Sequence, residues 1–303
     1  MVRIGPSVRA QLSRLQLAGK EIHTHFRSST PPPLPEGAQL LRRWSDPARR
    51  LVSTYWRYAC PGCYRLYWSD AGTFELDSRR GFVRCFVPSR PSMTAVEEVL
   101  RGPVCSFFLL ERGFEPLHAG AVVFGGRCIS FMGVAGAGKS SLVAYLTKRG
   151  ARFLSDDVLP LRCQGHLVRA YPGLPQLRLA PQAIAAMGEG LPLMWKTKWK
   201  ATLRVRTVPR RMSYPVARIY LLDRRGTSQP GRIDLVPLAP REAFLALVAH
   251  TTNDALNTAW RMQRQLRVYS QLAAHVPIRR LRYRSGFQEL EQVWQAIIED
   301  LKS

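Results

Sequence analysis

Residues 133–157 read GVAGAGKSSLVAYLTKRGARFLSDD, and Gly133 to Ser140 spell G-x-x-x-x-G-K-S. Glycines let a backbone turn sharply and aim its N–H groups inward around phosphate oxygens. A helix starting behind them adds the positive end of its dipole. Lys139 has the length to reach the outer phosphates of a nucleotide, and the Ser140 hydroxyl is a ligand type for Mg²⁺. The expected ligand is a nucleotide polyphosphate held by Gly133, Gly136, Ala137, Gly138, Lys139, Ser140 and Ser141. Kinases, GTPases and ATP-driven motors share such a loop, so the neighbouring residues must decide between them.

Asp156 and Asp157 follow at the end of an apolar run. An acid there is placed to hold Mg²⁺ directly or through water. Neighbouring side chains on a strand point to opposite faces, which favours a division of labour: one acid for the metal, one for the proton of an acceptor hydroxyl. The plainer reading is one functional acid and one that caps a loop. His118, in LHAGAVV, has apolar flanks and reads first as a core histidine. Its strand leads toward the loop, which also suits it to steer a proton or an acceptor.

These residues need a scaffold of strands and helices. RCISFMG gives a strand running straight into the loop; it pairs with HAGAVVF across Gly125 and Gly126. KSSLVAYLTKRG has helical periodicity, with Gly150 where a helix stops. ARFLSDD, RIYLLDR (218–224) and PIRRLRYR read as strands, and REAFLALVAH, residues 254–275 and the closing SGFQELEQVWQAIIEDLKS as helices. Strands and helices alternate, so the expected class is α/β. Ahead of this region, residues 51–104 read as a small β-rich domain, with YRLYW and TFELD as a hairpin and Thr94 as the N-cap of the helix that follows. Residues 1–50 read as a basic, poorly ordered extension ending in the stiff TPPPLPEG, with a transit peptide as the functional alternative. The domain that carries the glycine loop is expected over 105–303.

The chain has 303 residues, 46% of them hydrophobic, and no apolar run long enough for a membrane helix. With no signal-type hydrophobic segment either, a cytoplasmic protein without a membrane partner is expected. The formal charge is +24, but only seven of the 45 basic residues are lysine, so arginine is spread along the chain rather than gathered in a stripe. No specific nucleic-acid partner is expected from that distribution. Against this background WKTKWK stands out, because Lys196, Lys198 and Lys200 are three of those seven lysines. Alternate spacing on an extended segment puts them on one side, where they would face a γ-phosphate or an acidic peptide. A solvated strand edge is the competing reading. Of six cysteines only Cys60 and Cys63 are close, as CPGC. No second such pair completes a zinc site, so reduced thiols are the plain reading, with a redox pair or half a metal site behind it.

Taken together, LHAGAVVFGGRCISFMGVAGAGKSSLVAYLTKRGARFLSDDV resembles the kinase domain of the HPr kinase/phosphorylase family. The shared features are a histidine 21 positions before the lysine, a hairpin, the loop, a helix ending Arg-Gly, and an acid 17 positions after the lysine. The resemblance covers about residues 105–180 well and the rest loosely. It implies a phosphoenolpyruvate-carboxykinase-like P-loop core with Mg²⁺ and ATP, and phosphorylation of a serine on a peptide or small protein. In that comparison His118 and Asp156 are the catalytic pair, with Asp156 as base and Asp157 beside the metal with Ser140. Arg178, in PGLPQLRL, matches a family arginine, while Gln176 stands where the family has an acid. A lost metal ligand favours the kinase direction over the phosphorylase. The chain is most similar to HPr-kinase-like enzymes of lasso-type ribosomal peptide pathways, and relatives of this kind form homo-oligomers. A regulatory HPr-type or small-molecule kinase, and a nucleotide-dependent assembly module without transfer, are the alternatives.

Overall fold

In the computed structural model the described residues are 12–27, 30–48, 51–88, 92–187, 192–196, 200–223, 232–252, 256 and 258–302. The chain divides into two compact units, Met1–Phe114 with Thr252–Arg261, and Glu115–Thr251 with Met262–Ser303.

The first unit is built on a seven-stranded sheet. Its strands are β1 (Arg14–Leu17), β2 (Lys20–Arg27), β3 (Gln39–Asp46), β4 (Leu51–Arg57), β5 (Cys63–Trp68), β6 (Gly72–Asp77) and β7 (Phe82–Phe86), in the order β1-β2-β7-β6-β5-β4-β3. Strands β1 to β3 lie within the stretch expected as a separate extension, yet they belong to this sheet. The signal is the period of two in KEIHTHFR, which buries Ile22, Thr24 and Phe26 and exposes the residues between. Charged residues on the outward face hid that alternation. Helix α1 (Met93–Val99) is capped by Ser92, whose Oγ accepts from the Ala95 N–H at 3.3 Å, not by the expected Thr94. It runs through a π-helical turn, Leu100–Val104, into α2 (Cys105–Glu111). Pro103 lies inside that turn. Proline cannot donate to the helical ladder, and a widened turn accommodates it.

The second unit is mixed α/β, and its main sheet has nine strands. They are β8 (Glu115–Leu117), β9 (Gly120–Phe124), β10 (Arg127–Met132), β11 (Arg152–Ser155), β12 (Leu159–Gln164), β13 (Leu167–Ala170), β17 (Tyr214–Asp223), β18 (Asp234–Pro237) and β19 (Ile278–Arg282). A three-stranded sheet, β14-β16-β15, is formed by β14 (Gln176–Leu179), β15 (Leu193–Lys196) and β16 (Ala201–Arg204). The helices are α3 (Lys139–Lys148), α4 (Pro181–Met187), α5 (Pro240–Ala249), α6 (Ala259–His275), whose residues from Met262 onward belong here, and α7 (Leu290–Asp300).

β10 runs parallel to β17, β17 parallel to β19, and β9 antiparallel to both β10 and β11. β10 is buried from Cys128 to Met132, apolar there except for Ser130, because both its faces are covered. Ile129 and Phe131 pack with Leu142, Val143 and Leu146 of α3 and Val293 and Ile297 of α7. Cys128 and Met132 point the other way, toward Leu247 of α5 and Val268 and Leu272 of α6. The sheet thus has helices on both faces, and α3 starts where β10 ends. At the far end of α7, Asp300 ties the helix to the sheet. It sits 2.5 Å from Arg279 Nε and 3.3 Å from Arg218 Nε, and it accepts from the Tyr220 hydroxyl at 2.8 Å. Among the described residues no helix is long and apolar enough to cross a membrane.

Candidate active site

The loop between β10 and α3 is shaped by its glycines. Gly136 has φ 80° and Gly138 φ 98°, both in the left-handed region where a side chain is strained. Gly138 is also covered from outside, since a Cβ there would lie 3.3 Å from the Tyr283 hydroxyl. With Gly138 as N-cap, α3 opens on Lys139, and the first N–H groups of a helix meet no carbonyl within it. Lys139 is buried, with 6% of its surface exposed. Its ammonium is folded back on its own loop, donating to the carbonyls of Gly133 at 2.6 Å and Val134 at 3.3 Å. Burial pushes its pKa down, an effect opposed by the charges of Asp157 and then Asp156.

Behind the loop, β11 delivers the two aspartates. The Ser140 hydroxyl donates to Asp156 Oδ1 at 2.9 Å, and the Arg178 backbone N–H donates to Asp156 Oδ2 at 3.1 Å. Both carboxylate oxygens are therefore engaged. Burial pushes the Asp156 pKa up to about 7, and the charge of Asp157 adds to the rise. Asp157 adopts φ 68°, the left-handed region that aspartate tolerates better than most residues. Its carboxylate Oδ2 lies 3.7 Å from Arg178 Nη1. The Asp157 carbonyl is 3.0 Å from His118 Nδ1. A carbonyl can only accept, so Nδ1 carries the proton and Nε2 is left as the ring's acceptor. Burial, then the nearby Lys139 charge, pushes the His118 pKa down, which keeps the ring neutral.

The backbone of β9 lies close to α3 at Gly120. A Cβ there would stand 2.8 Å from Val143 Cγ2 and 3.7 Å from Asp156 Oδ1.

These groups surround a cavity of about 510 Å³, within the usual range for small-ligand sites. Of the residues expected to bind phosphate, Gly136, Ala137, Gly138, Lys139, Ser140, Ser141 and Arg178 line it, together with His118 and Asp157. Gly133 lies at the root of the loop, where a Cβ would press on Ala137 and Leu222. Asp156 stands behind Ser140 rather than on the cavity wall. Lys196 is exposed on β15 and does not line the cavity, and Lys198 falls outside the described residues. Lys200, the third member of that lysine row, lines it. Tyr283, Ser285 and Phe287 complete the wall from the segment after β19. No motif marks them, and only the parallel pairing of β17 with β19 brings them to the loop.

Among the described residues the lining carries Lys139, Arg178 and Lys200 against a single acid, Asp157. This is a positive concavity suited to several phosphates. Among the described residues no cluster of three or more His, Cys, Asp or Glu side chains is placed to cage a metal. The hydroxyl and carboxylate of Ser140 and Asp156 instead fit Mg²⁺, which takes one or two protein ligands and fills its shell with water and substrate phosphates.

No family model matches the sequence, and no curated protein matches it. Among solved structures, the chain is similar to the Hpr(Ser) kinase/phosphatase from Coxiella burnetii. The TM-score is 0.34 and the identity 12%, over 62% of this chain and 90% of that one.

Proposed function

We propose that this chain is an ATP-dependent kinase that phosphorylates a serine hydroxyl on a peptide or small protein. One observation carries the reading: Ser140, on the wall of the cavity that Lys139, His118 and Asp157 share, is joined at 2.9 Å to Asp156 behind it. A motor or a GTPase needs the loop and one acid. Transfer to a hydroxyl is aided by a positioned base on the acceptor side, and the place of Asp157 on the cavity wall supports that reading.

The geometry supports the reverse of the division of labour expected from the sequence. Asp156, bonded to the Ser140 hydroxyl and set back from the cavity, belongs with the metal; Asp157, on the cavity wall, is the better placed base. Ser140 and Asp156 would hold Mg²⁺, which supplies charge neutralisation on the phosphates. The loop amides, Lys139 and Lys200 hold the triphosphate. Asp157 takes the proton of the acceptor serine as its oxygen bonds to the γ-phosphorus and the bridge to the β-phosphate breaks, with ADP leaving. Arg178 orients the Asp157 carboxylate. His118, neutral and protonated on Nδ1, positions the acceptor hydroxyl through Nε2.

Gln176, buried on β14 two residues before Arg178, offers no charge to a second metal, which fits transfer from ATP rather than the reverse phosphorolysis. The acceptor suggested by the sequence resemblance is a lasso-type ribosomal precursor peptide, and an acidic one suits the +24 chain. The test is incubation with Mg²⁺, γ-labelled ATP and such a peptide, read by intact mass. A peptide gaining one phosphoryl group on serine is expected. Nucleotide hydrolysis with no labelled product from serine peptides, small proteins or free serine would refute it.

A further inference from the structure

The first unit holds a second reactive feature, independent of the phosphoryl-transfer reading. Cys60 and Cys63 flank Pro61 and Gly62 in the turn between β4 and β5. The Cys63 N–H donates to the Cys60 carbonyl at 3.1 Å, and Gly62 has φ 80°. Proline followed by a left-handed glycine is the pattern of a type II turn, which brings its end residues within about 7 Å. The same approach is what a disulfide requires. A Cβ at position 62 would collide with Ser78 Oγ, so glycine is fixed there on two counts. The two sulfurs already stand 2.9 Å apart.

We infer that Cys60 and Cys63 form a dithiol that closes reversibly to a disulfide by exchange with a small-molecule disulfide such as oxidised glutathione. Three observations favour this over a half-site for zinc. Two thiolates on one zinc, each at about 2.3 Å in tetrahedral geometry, stand about 3.8 Å apart, so binding would have to force this pair open. Closing to a bond of about 2.05 Å needs only a small approach. Finally, no third His, Cys, Asp or Glu among the described residues is placed to complete a metal cluster.

The pair is also asymmetric. Cys60 is exposed and Cys63 half-buried behind it. The Cys63 thiol donates to Cys60 Sγ, and its own ionisation is pushed up by burial, then by that bond and by the charges of Cys60 and Asp77. Cys60 is therefore the entry sulfur. Its thiolate attacks one sulfur of glutathione disulfide: a Cys60–glutathione bond forms, the glutathione S–S bond breaks, and one glutathione leaves and takes up a proton. The Cys63 thiolate then attacks Cys60 Sγ, the Cys60–Cys63 bond forms, and the second glutathione leaves and is protonated. Two protein thiols are oxidised and one glutathione disulfide is reduced to two thiols. The closed loop spans only four residues, so the bond adds little to the fold and stays open to exchange. Cys85, Cys105 and Cys128 are buried and act as internal controls.

The experiment treats the full chain with oxidised glutathione, blocks free thiols by alkylation, and reads intact and peptide masses. Loss of two hydrogens, mapped to residues 60–63 and reversed by a dithiol reductant, is expected. Cys63→Ser should retain one glutathione on Cys60, whereas Cys60→Ser should take up far less. The inference is overturned if the wild-type chain keeps both thiols alkylatable, if it ends as a lasting glutathione adduct, or if equimolar zinc protects both thiols. The wild-type result decides alone if a variant fails to fold.

Discussion

Asp156→Asn should make the second unit more stable while abolishing the Mg²⁺-dependent transfer proposed above, and the gain should depend on pH. Asp156 is raised from 3.8 to about 7 in the folded chain. The folded state thus holds this proton more tightly than the unfolded one. The associated stability is complete below pH 3.8 and is lost as pH rises toward 7. The full interval corresponds to about 4 kcal/mol. Asp156 is half-buried and part of its surface still meets solvent, so about 2 kcal/mol is the better expectation near pH 8. Asparagine has nearly the same shape, keeps an acceptor for the Arg178 N–H and carries no charge. For a unit of this size the gain amounts to about 4–8 °C in midpoint. The assay is thermal unfolding of both proteins at several pH values between 4 and 8, with a chelator present, since bound metal would favour the carboxylate. The two curves should coincide near pH 4 and separate as pH rises. A constant gap, or a variant less stable at pH 8, would show that this carboxylate carries no burial penalty.

Three further outcomes separate the roles at the site and in the fold. Asp157→Asn should lower phosphoryl transfer by about 10²- to 10⁴-fold, the usual contribution of a general base, with nucleotide affinity nearly unchanged by calorimetry; transfer at the wild-type rate would remove Asp157 as base. Lys200→Ala should raise the KM for ATP, whereas Lys196→Ala, on the exposed end of β15, should not, and steady-state kinetics at varied ATP tells the two apart. Asp300→Ala leaves Arg218, Arg279 and the Tyr220 hydroxyl facing an empty place. It should cost about 3 kcal/mol, seen as a lower midpoint in denaturant, and no loss would mean the two arginines re-pair.

The part of the site that the sequence made legible is the part that is local in the chain. The loop, Lys139, Ser140 and the aspartate pair lie within 25 consecutive residues, and a strand on one side with a helix on the other is enough to orient them. What was not legible depends on contacts far apart in sequence or on one backbone angle. Tyr283, Ser285 and Phe287 reach the cavity through the pairing of β19 with β17, which no local pattern announces. The roles proposed for Asp156 and Asp157 rest on which of them lines the cavity, and the left-handed φ of Asp157 breaks the strand pattern at that point. Reading the pair as plain strand residues placed them on opposite faces without saying which face held the loop hydroxyl. Within WKTKWK, the alternation argument treated three lysines alike, but Lys196 is on β15 and Lys200 just precedes β16, the strand it pairs with. In the first unit, β2 escaped notice because histidine and arginine occupy its solvent side, and β3 because it has no fully buried residue and so shows no alternation.

Gly120 gives β9 no side chain where Val143 of α3 lies against it, and this lets the helix approach the strand closely. A methyl group there would act as a wedge against Val143, lift the start of the helix, and pull the Ser140 hydroxyl off Asp156. Space could be restored only by trimming the other side of the contact. Among descendants of this sequence, a larger residue at 120 is therefore tolerable only alongside a smaller one at 143, so the two positions are bound to drift as a pair although neither touches a substrate.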